Sequence, residues 1–156
     1  MKSTLRLLAA LTVIAAGSVA FAADPAPAAP APAKEKKEDT ELTKNMDKMN
    51  AAWRKLRRQA GDATKNAESI ELVATMRQYA TIGSKLEPLK VSEVPEADRA
   101  KMREGFKAKM KDFLADLDKL EEAFKAGNNE AATKLVQELG AMQKEGHKEY
   151  KSKSID

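Results

Sequence analysis

Leu42, Met46, Met49, Trp53 and Leu56 recur at steps of four, three, four and three residues. That spacing puts all five on one face of an α-helix, as a seam that has to be buried against other helices. Three more stretches repeat the device. Ile70, Val73, Met76, Ala80 and Gly83 face one way on a helix expected over residues 65–86. Met102, Phe106, Phe113, Leu117, Leu120 and Phe124, with Met110 beside them, do so over 96–126. Ala132, Leu135, Leu139, Met142 and Tyr150 do so over 129–151. The breaks are chemical. Thr40 offers an N-cap and Gly61 a stop for the first helix. Pro88 and Pro95 bracket a connection that neither neighbouring helix crosses easily. Gly127-Asn128-Asn129 supplies a stop and a fresh N-cap. Four amphipathic helices on short connections, with few strand signals, predict an all-α antiparallel up-down-up-down four-helix bundle. A looser array of helical hairpins, or helices that assemble only in an oligomer, is the competing architecture. Length and loop pattern favour the monomeric bundle.

The N-terminal residues are of a different kind. Lys2 and Arg6 make a positive n-region before an apolar run, residues 7–16, that is too short to span a bilayer. Ala20-Phe21-Ala22 follows as a small-x-small cleavage site, so residues 1–22 read as a secretory signal cut after Ala22 and the protein as periplasmic. Residues 23–40 alternate Pro with Ala and then Lys with Glu. That composition has no face to bury and predicts a disordered tether before a bundle domain at 41–156.

Composition removes several functions. The chain has no cysteine. Disulfides, thiolate metal sites, iron–sulfur clusters, lipoprotein acylation and thioether attachment of haem are therefore excluded. Any cofactor has to be held by His, Met, carboxylates or packing. The 28 basic and 24 acidic residues are interleaved, and two of the basic ones belong to the expected leader. This is the pattern of solvated helix surfaces rather than of a nucleic-acid stripe, and it gives the mature chain no membrane-binding face.

His147 is the only histidine. In an antiparallel bundle the start of the first helix lies beside the end of the fourth. Met46 then sits about 8 Å along its helix from residue 41, and His147 about 6 Å from residue 151, at 1.5 Å per residue. The two side chains fall at similar depth at one end of the core. A thioether facing an imidazole suits six-coordinate haem iron, an arrangement that carries electrons and leaves no open position for substrate. Spacing alone leaves the plainer alternatives standing. Most core methionines only fill space, and His147 lies about 60° off its helix seam at about 100° per residue, where a solvated histidine is at home.

Four local patterns bear on the choice. "ELTKNMDKMN" carries Asn45-Met46 with Asn50 four residues after the Met. "TMRQYA" puts Met76 inward on the second helix, "MREGFKAKM" contains Gly105-Phe106, and "GHKEYK" contains His147, Tyr150 and Lys151. In this order, across residues 41–152, they resemble the cytochrome b562 family of periplasmic haem-binding four-helix bundles. The resemblance implies a periplasmic electron-transfer protein, not an enzyme, with one noncovalent haem b per chain and an unidentified periplasmic redox partner. It implies Met46 and His147 as axial ligands to the iron, with Asn50, Trp53, Met76, Met102 and Phe106 lining the pocket. The chain departs from the family pattern in having Met102 where an aromatic stands and Gln143 where an Arg stands. Lys144, Lys148 or Lys151 are the candidates to replace that cation. Gly146, beside the ligand, weakens its helix by about 0.5–1 kcal/mol relative to Ala.

Two other readings remain. A haem-free bundle of the same fold could serve as a periplasmic binding or stress protein. Soft thioethers also suit Cu(I), but Met46, Met49, Met76, Met102, Met110 and Met142 are spread over several helices as core positions, which disfavours a copper carrier. Hydrolase and transferase signatures (a nucleophile elbow, a phosphate-cradling Gly loop, HExxH) are missing from the sequence. A di-iron site would need a second histidine.

Overall fold

The computed structural model describes residues 40–153, and the expected signal peptide and nearly all of the expected tether lie outside them. Four helices account for most of this region: α1 (Glu41–Gln59), α2 (Asn66–Gly83), α3 (Glu96–Lys125) and α4 (Asn129–Tyr150). Single 3-10 segments occupy Ala63–Lys65 and Leu89–Glu93, and no strand occurs among the described residues. No helix among them is long and apolar enough to cross a membrane.

The caps follow from side-chain chemistry. Thr40 Oγ1 accepts from the Thr43 N–H, and Asn128 Oδ1 accepts from the Ala131 N–H, so each fills one of the orphan donors of a first turn. Gly127 has a φ of 69°, the left-handed conformation that ends α3 without a Cβ penalty. Gly61 does not play that part. α1 ends at Gln59 with Ala60 as a right-handed C-cap, and Gly127 is the glycine with positive φ among the described residues. α2 also stops short of the expected limit, at Gly83, and a turn carries the chain to Pro88.

Successive helices are antiparallel neighbours. Ion pairs run from Lys55 of α1 to Glu68 of α2, from Arg77 of α2 to Asp118 of α3, and from Lys109 of α3 to Glu145 of α4. A second contact in each pair, Met46 with Gly83, Gly83 with Met110 and Gly105 with Tyr150, shows numbers rising on one helix as they fall on the next. Inside, Leu56, Val73, Ala80, Leu117, Leu120, Ala132 and Leu139 are fully buried, with Met76 and Phe124 almost so. Each large side chain taken out of water stabilises the fold by about 1.5–3 kcal/mol. Several buried residues escape the seam pattern, among them Ala52 on α1, Val136 on α4, and Val91 in the second 3-10 segment.

The α1–α4 seam is uneven, and this positions the site. α1 packs closely on α2, α2 on α3 and α3 on α4, whereas α1 and α4 approach each other sparsely. They are pinned at one end. Asn129 Nδ2 donates to the Ala60 carbonyl at 2.9 Å and to Asn66 Oδ1 at 2.7 Å, and Trp53 packs on Gly140. Toward the start of α1 and the end of α4 the two helices part.

Candidate functional site: a cleft between the first and last helices

Where α1 and α4 separate, they leave a cleft of about 490 Å³. This is within the range of small-molecule and cofactor sites. α1 contributes Leu42, Met46, Met49 and Asn50. α3 contributes Phe106, Met110 and Phe113. α4 contributes Met142, Gly146, His147 and Tyr150. The walls are mainly apolar, with Asp47 as the carboxylate and Lys109 and Lys151 as the cations among the lining residues.

Met46 and His147, placed by the sequence on different helices at similar depth, line the same cleft. Met46 is half-buried. Its methyl lies 2.5 Å from the position that a Cβ on Gly83 of α2 would take, so the missing side chain of Gly83 is what gives the thioether its berth. His147 is exposed on its outer side, yet partial desolvation pushes its pKa below the usual histidine value, and the charge of Lys151 adds to the effect. Both effects favour the neutral ring, the form whose lone pair can bind a metal. Gly146 sits within an intact helix. A Cβ there would meet nothing within 4 Å, so the space beside His147 is open.

Gly105-Phe106 has a clear local role. A Cβ on Gly105 would stand 2.7 Å from the Tyr150 hydroxyl, and Phe106 meets the Tyr150 ring edge-on at 5.4 Å between centroids. The glycine therefore lets Tyr150 close the floor of the cleft. Burial, reinforced by its hydrogen bond to Glu149, pushes the Tyr150 hydroxyl up to about 12. Gly105→Ala should expel the ring from this slot and cost about 1–3 kcal/mol. Urea unfolding of the two proteins measures it, and an unchanged midpoint would refute the close contact.

Of the seven residues expected at the site, Met46, Asn50, Phe106 and His147 line the cleft. Trp53, Met76 and Met102 do not. Trp53 is 3% exposed and lies farther along α1 at the pinned part of the seam, its indole Nε1 buried without a hydrogen-bond partner. Met76 is buried in the core, and Met102 is partly buried against it. Of the candidate cations, Lys151 lines the cleft and Lys144 and Lys148 do not. Sequence reasoning missed Met49, Met110 and Met142 as lining residues. Their seam positions marked them as core, and only the parting of α1 from α4 turns them toward a cavity. Among the described residues no group of three or more His, Asp or Glu is placed to hold a metal ion.

The sequence profile of the cytochrome b562 family matches residues 41–151, the whole of the four-helix region. No curated protein matches the chain.

Proposed function

This chain belongs to the cytochrome b562 family, and we propose that it is a periplasmic electron carrier holding one noncovalent haem b in the α1–α4 cleft. The observation that carries this reading is that Met46 and His147 line one apolar cleft from its two opposing helices. The donor set suits the group: a neutral thioether and a neutral imidazole, with no cysteine anywhere to attach haem covalently. Gly146 leaves the space beside the histidine open, and Phe106 and Tyr150 give an aromatic floor.

When bound, haem supplies a one-electron couple. The chain's own residues set the conditions for it. Met46 and His147 would be the protein groups that hold the iron, and a site held by two protein ligands favours electron transfer over substrate chemistry, which is why the protein is read as a carrier and not an enzyme. Leu42, Met49, Met110 and Phe113 keep the surroundings apolar. Lys109 and Lys151 are the cations within the cleft lining, and they would be the candidates to meet propionates in the absence of an arginine at Gln143. The exposed side of His147 leaves an edge through which a soluble partner can exchange electrons in charge-steered encounters.

The test is a visible spectrum of the purified protein with one equivalent of haem, oxidised and then reduced. The expected result is a low-spin Soret band and a sharp reduced α band. A broad spectrum like that of free or five-coordinate haem would overturn the assignment and favour a haem-free bundle.

A further inference from the structure

At the end of α4 the cleft is bordered by two segments that are distant in sequence. Pro88 and Leu89, at the start of the second 3-10 segment, line it, and so does Ser152, just past the end of α4. Lys151 is extended, with a φ of −76° and a ψ of 128°, and turns the chain out of the helix. Ser152 then comes to rest with only 1% of its surface exposed. A buried hydroxyl needs a partner, and this one has Glu93: Ser152 Oγ donates to Glu93 Oε1. Lys90 Nζ takes the other carboxylate oxygen at 3.0 Å. These hydrogen bonds, that of Ser152 foremost, hold the Glu93 carboxyl below the usual carboxylate range, so the acceptor is charged and the bond is of the stronger, charge-assisted kind. Glu93 ends the same short segment whose Val91 is fully buried, so the anchor is fastened to the body of the bundle.

His147 stands one turn before this anchor. The Lys151 N–H donates to the His147 carbonyl at 3.1 Å. The backbone that Ser152 ties down is therefore the backbone that closes the turn carrying the imidazole. Chain ends fray unless something ties them down, and along the cleft α4 lacks the close support of α1. From this chain of bonds we infer that Glu93 is a positioning residue: through Ser152 its carboxylate fastens the end of α4 to the α2–α3 connection and so fixes the last turn, with His147, at the cleft. Tyr150, lodged beside Gly105, holds the same turn on its α3 side. Ser152 holds it on the side of the connection. Glu93 acts through Ser152 and the Lys151 backbone and is not itself a ligand. Its service to a ligand rests on the haem reading; its hold on the last turn of α4 does not.

The experiment compares four variants of the full chain. Ser152→Ala and Glu93→Ala each break the tie. Glu93→Gln keeps an oxygen that can accept from Ser152, and Lys90→Gln removes only the ion pair. In the haem-free protein, amide hydrogen exchange is followed by NMR at Lys151 and at Ala126, whose N–H closes the end of α3 on the Glu122 carbonyl. Lys151 should exchange about 10-fold faster in the two alanine variants, as expected for loss of one hydrogen bond to a charged group. The Glu93→Gln and Lys90→Gln proteins should stay close to the parent, and Ala126 should not change. In the haem-loaded protein, transfer of haem to excess apomyoglobin should speed up by about 10-fold in the same two alanine variants, the lower end of what changes outside the ligand shell cost at metal sites. Parental exchange at Lys151 in both alanine variants would overturn the inference. Equal acceleration at Ala126 would do so too, as a general loss of stability. Faster exchange at Lys151 with unchanged haem transfer would break the link to His147. A parent chain without a low-spin band would sink the haem reading alone, and the two amides would still decide the hold on α4.

Discussion

His147→Ala abolishes the low-spin haem spectrum and leaves the helical circular dichroism unchanged: this is the largest effect expected of any single change at the cleft. The imidazole is exposed on its outer side, and α4 is capped below it by backbone, the Lys151 N–H donating to the His147 carbonyl at 3.1 Å. Removing the exposed ring should therefore delete the proposed ligand and leave the helix in place. Outer-shell changes at metal sites cost about 10–100-fold in affinity, and loss of an axial ligand should exceed that. Met46→Leu keeps the packing against Gly83 and removes only the sulfur, so it should yield a five-coordinate, high-spin spectrum with weaker binding. Haem titrations followed by absorbance, with Trp53 fluorescence as a second signal, measure both. Unchanged low-spin bands in the two variants would place the iron elsewhere.

Phe124→Ala should be the most damaging change to the fold itself. Phe124 is 2% exposed and belongs to the core cluster that joins α3 to the other helices. Truncation removes a large apolar group and leaves a cavity, at a cost of about 3–5 kcal/mol. Against a total stability of about 5–15 kcal/mol for an ordinary domain, this should lower the Tm by roughly 10–20 °C. Ile82, the exposed large apolar residue of α2, is the matching control. Ile82→Ala should stay within about 0.5 kcal/mol of the parent, as surface changes usually do. Thermal melts of the three proteins decide it. A Phe124→Ala variant that melts with the parent would contradict the packing described for the end of α3.

The helices were legible because their signals are local. Seam spacing, the Thr40 cap and the Gly127-Asn128 junction each act within a few residues, and α1, α3 and α4 begin where those signals put them. Gly61 misled because a glycine ends a helix through its backbone angle, and the chain there turns without left-handed geometry. Val91 was missed because a five-residue 3-10 segment is too short to show any periodicity. The cleft was partly legible. Met46 and His147 could be paired because helix direction and rise fix depth along a bundle. Trp53 and Met76 could not be assigned to core or cavity, since seam position says that a side chain points inward but not whether the neighbouring helix stays close. That depends on how far α1 and α4 part, which is decided jointly by Trp53 on Gly140, Asn129 on Ala60 and the Met46 methyl on Gly83.

The uneven seam also bears on how the molecule comes apart. α1 and α4 are the first and last helices, so contacts between them close the longest loop in the bundle, and contacts of high sequence separation carry the greatest closure cost. The helical hairpins α1–α2, α2–α3 and α3–α4 can assemble without that cost. A ligand gripping Met46 and His147 together acts as a clasp between the two ends of the domain, on contacts that form late. Such contacts leave the folding rate nearly untouched and appear almost entirely as slower unfolding. Occupancy of the cleft would then be felt chiefly as lifetime: the ligand-free bundle opens readily at its free end, and the filled one stays shut.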